Sequence, residues 1–201
     1  MTQLVEARLM TAAISTILIL LVIPVAGYLI LLARKGFLYL LGMVFDGDTV
    51  WLIANRLTFP GVIHHECAHA LFVVLTGAKI QDIELFHPQH DRLGSVSWYP
   101  RSVFPGAQSI QCTLVSVAPV VLGVLDFCLL YACLLPRCTQ VWQTILVVYL
   151  MLSIFFHATM SSQDIRIAWK GLPVCALILM VFFFVTGLDM AAVLQHAVFP
   201  G

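Results

Sequence analysis

The chain is poor in charge for its size. Ten basic and ten acidic residues among 201 amount to 10%, against about 25% in soluble domains. Hydrophobic residues reach 61% and the mean hydropathy is +1.01. Because a domain of this size exposes much of its surface, this composition excludes a soluble globular enzyme and a disordered region. Equal numbers of acidic and basic residues also leave no basic stripe for nucleic acid. The composition predicts a polytopic membrane protein surrounded by a lipid bilayer.

The sequence lacks paired cysteines, internal repeats and low-complexity linkers. No C-x-x-C pair occurs, and the six cysteines lie within or just beyond apolar runs. A disulfide scaffold is therefore excluded, and the interpretation of the cysteines is that they are small buried hydrophobes. With no linker to divide it, the chain is expected to form one integral membrane domain over residues 1–201, with its core at about 59–170.

Long apolar runs are what the sequence does contain. Each is close to the roughly 20 residues that a helix needs to cross a ~30 Å hydrocarbon core. They predict an all-α polytopic fold with about five transmembrane helices, at Leu9–Ala33, Phe59–Ala78, Ile110–Leu135, Val141–Met160 and Leu172–Leu188. A further apolar segment, Phe37–Phe45, is too short to span and is expected to be re-entrant or interfacial.

The segment between the second and third runs has a different pattern. The polar, proline-containing stretch 87–92 is flanked by apolar residues at Ile80, Ile83 and Leu85 and at Val96 and Trp98. An approximate period of two around a turn is typical of a β-hairpin. We expect a small hairpin at the membrane surface.

The second run contains an H-E-x-x-H motif, His65-Glu66-Cys67-Ala68-His69. Residues four apart lie on one face of a helix, so the two imidazoles can bind one zinc ion with Glu66 beside a metal-activated water. A glutamate and two histidines are costly at membrane depth unless they are ligated or line a wet cavity. The motif therefore predicts a zinc site with Glu66 as its general base.

A catalytic zinc usually has a third protein ligand. The chain offers seven candidates, which are His64, His87, His90, Asp126, His157, Asp164 and His196. His64 points about 100° away from His65 around the helix, and the histidines of the predicted turn and tail are interpreted as solvated. Spacing does not choose among Asp126, His157 and Asp164.

These residues together resemble the site-2 protease family of intramembrane zinc metalloproteases, in particular its small, divergent bacterial-type members. The resemblance covers roughly residues 59–170. It is carried by His65-Glu66-x-x-His69, a following Gly77, Gly94-Ser95-Val96, Ala118-Pro119 and Asp164. It implies that His65, His69 and Asp164 bind zinc, that Glu66 activates water, and that the hairpin holds an unwound substrate by strand addition.

One departure concerns the third ligand. The family motif has glycine after the aspartate and an Asn-Pro-rich stretch before it, whereas here Ile165 follows Asp164 and Ser161-Ser162-Gln163 precede it. His157 therefore stays open as a ligand or as a supporting residue, and so does Asp126.

The expected function is a zinc-dependent endopeptidase that cleaves in or near transmembrane segments. Its substrate would be a membrane protein or transmembrane peptide, and the expected location is a bacterial plasma membrane, which the chain crosses several times. No soluble regulatory domain is evident, so a regulatory membrane partner is a further expectation. Two alternatives are a zinc hydrolase acting on a lipid-linked substrate and a non-catalytic membrane scaffold or metal transporter.

Overall fold

A computed structural model describes residues 2–86 and 93–198. Seven α-helices and two β-strands occur in these residues: α1 Thr2–Gly42, α2 Gly47–Leu52, α3 Phe59–Leu75, β1 Lys79–Glu84, β2 Ser95–Tyr99, α4 Pro105–Leu129, α5 Val141–His157, α6 Ser162–Thr186 and α7 Met190–Val198. A π-helical turn precedes α3, and another follows α4; they are Ile53–Leu57 and Leu130–Leu134.

Five helices are strongly apolar, and they coincide with the five predicted runs. Three are long and apolar enough to cross a membrane: α1, α6, and α4 with its continuation to Arg137. The other two, α3 and α5, have 17 residues each, a rise of about 25 Å, which is shorter than a typical hydrocarbon core. The helical fold and the small sheet between the second and third apolar helices are confirmed.

The sequence prediction was wrong about two helix boundaries. Phe37–Phe45 is not a separate segment, because α1 continues through Arg34-Lys35 to Gly42. Charged residues mark where a bilayer ends, but they leave the backbone hydrogen bonds of a helix intact. Likewise, α6 begins at Ser162, ten residues before the predicted run, because the Ser161 side chain caps its first turn.

Close packing in this fold depends on small residues. The buried side chains are mainly Ala, Val, Ser and Thr, whereas many Leu, Ile and Phe side chains point outward. A Cβ at Gly123 would collide with Ala158, and one at Gly171 would collide with the carbonyl oxygen of Ser109. Helices that pack in an apolar medium approach through such small residues. The outward-facing large side chains provide an apolar surface around this narrow core.

The cysteines do not belong to that core. All six are free thiols; three are exposed and three are partly exposed. Their interpretation as buried small hydrophobes was therefore wrong. Apolar neighbours in the sequence indicate that a residue has apolar surroundings. For a helix face that points away from the core, those surroundings are outside the protein.

The predicted hairpin is present as an antiparallel pair. Its register runs from Lys79 opposite Tyr99 to Glu84 opposite Ser95. Gly77, with φ of +73°, makes the left-handed turn that takes the chain from α3 into β1. The predicted turn, with His87 and His90, lies outside the described residues.

Candidate metal centre

The H-E-x-x-H motif lies at the middle of α3, which runs from Phe59 to Leu75. Pro60, at the start of the helix, is compatible with a first turn. His65 and His69 are one turn apart, as predicted, with ring centroids separated by 4.8 Å. Glu66 and His69 are buried, with 8% and 7% of their surface exposed.

Backbone carbonyls orient both imidazoles. Nδ1 of His65 lies 2.8 Å from the carbonyl oxygen of His157 at the end of α5, and Nδ1 of His69 lies 2.8 Å from that of Val115 on α4. A carbonyl oxygen only accepts, so each Nδ1 carries the proton and donates it. When such a ring is neutral, its Nε2 carries no proton, and the lone pair of that nitrogen can bind a metal.

Asp164 reaches the same place from the first turn of α6. Its Oδ2 accepts hydrogen bonds from the backbone N–H and the hydroxyl of Ser161, at 2.8 and 2.6 Å. Oδ1 lies 3.5 Å from Nε2 of His69. The capping interaction thus holds one carboxylate oxygen and directs the other at the histidines.

The three groups have the spacing of metal ligands. The two Nε2 atoms are 3.2 Å apart, and one donor atom each from His65, His69 and Asp164 lies within 4.8 Å of the other two. Tetrahedral ligands bonded at 2.0–2.1 Å are about 3.4 Å from one another. Two ring nitrogens at this separation share either a proton or a metal cation. This group can therefore hold a metal ion.

The other predicted candidates have different roles. Asp126 accepts from His64 at 2.7 Å, across the α3–α4 contact. Nδ1 of His157 donates to the carbonyl oxygen of Ser153 at 3.0 Å. The backbone carbonyl oxygen of His157 accepts the hydrogen bond from His65. His196 is exposed on α7. His87 and His90 lie outside the described residues.

Glu66 lies beside the loop end of the hairpin, where Glu84 pairs with Ser95. A Cβ added to Gly94 would be 2.8 Å from Cγ of Glu66 and 2.9 Å from the carbonyl oxygen of Leu85. Only glycine allows β2 to approach this closely. The carboxylate of Glu66 therefore lies close both to the two histidines of the motif and to the hairpin.

A polar stripe on α5, formed by Tyr149, Ser153 and His157, holds the start of α3. Tyr149 donates to the carbonyl of Leu57 at 2.6 Å, and Ser153 donates to that of Thr58 at 2.9 Å. The N–H of Gly61 in turn donates to Ser153 Oγ at 2.8 Å. Sequence reasoning missed this stripe, although its spacing of four residues within an apolar helix is a usable signal.

Comparison of the chain with protein-family models, with curated proteins and with solved structures gives no match.

Proposed function

We propose that this protein is a membrane-embedded zinc endopeptidase that hydrolyses peptide bonds in or next to transmembrane segments. The observation that carries the proposal is the convergence of two imidazole lone pairs and one carboxylate oxygen beside a second, buried carboxylate. Two nitrogen ligands and one oxygen ligand, with a glutamate next to them, are the usual set of a zinc hydrolase.

The five apolar helices are proposed to cross a bacterial plasma membrane, with the lipid acting as solvent for the exposed apolar side chains. In this arrangement α3 and α5 are short for a span, and a short span is accommodated by local thinning of the bilayer. Groups such as Glu66 and Asp164 are tolerated at depth when they are paired or ligated.

Each ligand residue has a distinct part in the proposal. His65, His69 and Asp164 would hold zinc, which would supply Lewis acidity to a substrate carbonyl and to a water molecule. Glu66 would take a proton from the attacking water as the water oxygen adds to the carbonyl carbon. When the C–N bond breaks, Glu66 would return that proton to the leaving amine.

The hairpin favours a peptide as the substrate. An extended peptide can add to an exposed strand edge through main-chain hydrogen bonds, and the loop end of the hairpin approaches Glu66 at Gly94. Such an edge offers little to a lipid-linked amide. The resemblance of the motif to site-2 proteases points the same way, and a partner membrane protein that selects substrates is compatible with it.

Elemental analysis and a cleavage assay test the proposal together. Wild type, Glu66→Gln, Asp164→Ala and His157→Ala would be purified in the same detergent, and each would be tested on a transmembrane reporter. We expect about one zinc per wild-type chain, and we expect Glu66→Gln to retain zinc while losing roughly 10²–10⁴-fold in rate. Asp164→Ala should lose both properties.

Three outcomes would contradict parts of the proposal. If the wild-type protein binds no zinc, the endopeptidase proposal fails and the non-catalytic scaffold becomes the better hypothesis. Loss of zinc in His157→Ala but not in Asp164→Ala would reassign the third ligand. If the protein cleaves a lipid-linked amide and leaves every peptide reporter intact, the same site would belong to a hydrolase of lipid-linked substrates.

A further inference from the structure

Gln111 on α4 carries a buried acceptor that has no donor. Only 7% of the residue is exposed, and its Nε2 donates to the carbonyl oxygen of Thr76 at 2.6 Å. Because a carbonyl only accepts, this contact fixes which end of the amide faces Thr76. Oε1 is then buried without a hydrogen-bond partner among the residues that the structure describes.

A neighbouring glutamine shows that this arrangement is not a general feature of the helix. Gln108, one turn earlier, also donates from Nε2 to a backbone carbonyl, that of Ser102, at 2.6 Å. Gln108 is only half-buried, and neither of its polar side-chain atoms is both buried and unpaired. Leaving an acceptor dry and unpaired is destabilising, so the oxygen of Gln111 calls for a donor that arrives from elsewhere.

The position of Gln111 indicates which donor that is. One turn further along α4, the carbonyl of Val115 orients His69. The residue that Gln111 contacts, Thr76, ends α3, and the next residue, Gly77, turns the chain into β1. Gln111 thus lies between a metal-binding histidine and the strand that begins the hairpin.

We infer that Oε1 of Gln111 accepts a main-chain N–H from an extended peptide substrate that lies between β1 and the metal. The inference rests on the proposed function, since it assigns a substrate contact to that same site. A peptide whose carbonyl faces the metal presents neighbouring N–H groups at fixed strand spacing. An amide oxygen is a neutral acceptor for such a group, so Gln111 selects for an unwound backbone and not for a particular side chain.

An ester scan tests this contact directly. The probe is a short apolar peptide already shown to be cut by the wild type, with each main-chain amide replaced in turn by an ester, which lacks the N–H. Binding is measured to the zinc-loaded Glu66→Gln protein, which does not turn the probe over. One ester position should weaken binding roughly tenfold.

Two variants in the Glu66→Gln background complete the comparison. The protein that also carries Gln111→Met should bind that ester and the parent peptide equally well. It should bind the parent peptide roughly tenfold more weakly than the Glu66→Gln protein does. Gln108→Met is the matched control and should keep the full ester effect. Zinc content reports whether each variant retains its site.

The outcomes separate this inference from the proposed function. If the peptide binds but no ester position weakens it, or if Gln111→Met leaves the ester effect unchanged, Gln111 does not contact the substrate, and the endopeptidase proposal stands. If the wild type cuts no peptide and binds none, the proposed function fails and this inference fails with it.

Discussion

Gly61 and Ser153 join α3 to α5 at a close approach of the two backbones near the metal centre. The N–H of Gly61 donates to Ser153 Oγ at 2.8 Å, and a Cβ at Gly61 would overlap the carbonyl oxygen of Ser153. Four residues further along α3, His65 donates to the carbonyl of His157 on the same α5 helix. The contact between these helices therefore determines where the first histidine of the motif points.

Gly61→Ala should separate α3 from α5. The new methyl group would also come within 2.6 Å of Nδ1 of His157, and overpacking of this kind typically costs about 1–3 kcal/mol. We expect a lower unfolding temperature and weaker metal binding, because His65 would lose its carbonyl partner. Differential scanning fluorimetry and zinc titration measure the two effects.

Gly36→Ala on α1 is the matched control for that substitution. Gly36 lies in a helix interior with nothing near its would-be Cβ, so alanine should stabilise the helix slightly, by about 0.5–1 kcal/mol. If both variants behave alike, the close contact at Gly61 is unimportant.

Gly94→Ala should impair catalysis while leaving the metal site intact. A Cβ there would press on Glu66 and on the backbone of Leu85, so β2 would move away from the carboxylate. We expect normal zinc content and a clear loss of peptide cleavage. Gly106→Ala, whose Cβ would meet nothing within 4 Å, should be fully active. Loss of zinc in Gly94→Ala would mean that the hairpin supports the ligands themselves.

Removal of the metal should destabilise the wild type but not a protein that lacks the third ligand. A ligand at 100 times its Kd stabilises the native state by about 2.7 kcal/mol. A chelator should therefore lower the unfolding temperature of the wild type and have little effect on Asp164→Ala. Asp126→Asn should respond like the wild type, because that carboxylate pairs with His64. An equal response in all three proteins would argue against a metal at Asp164.

The His64–Asp126 pair should contribute modestly to stability. Its side chains are 20% and 39% exposed, and hydrogen bonds between apolar helices are worth about 0.6 kcal/mol on average in a membrane. A double-mutant cycle with His64→Ala and Asp126→Ala should give a coupling of about 0.5–1 kcal/mol. A coupling of several kcal/mol, or loss of zinc in Asp126→Ala, would show that the pair belongs to the metal centre.

Local periodicity accounts for most of what could be predicted from the sequence. Apolar runs identified the five apolar helices, and an approximate period of two on either side of residues 87–92 identified the hairpin. The spacing of His65 and His69 placed both on one helix face, because four residues make about one turn. Each of these relationships lies within one element or between adjacent strands, where backbone geometry determines it.

The third ligand was beyond the reach of such reasoning. Asp126, His157 and Asp164 all occur at plausible spacings, and the structure separates them by the contacts that each one makes. Asp126 is engaged by His64, His157 offers its carbonyl to His65, and Asp164 is directed by its own cap. The cap is a local contact, but the approach of Asp164 to His69 joins α6 to α3, and no local pattern contains that information.

The sequence by itself therefore determined a helical, apolar chain with a hairpin and a two-histidine motif with an adjacent glutamate. Only the tertiary structure decided which carboxylate joins the histidines, what holds their rings and what covers Glu66. The physical reason is that distances between helices depend on where backbones can approach closely. Gly61, Gly94 and Gly171 permit that approach, and the partner that each one meets lies far away in the chain.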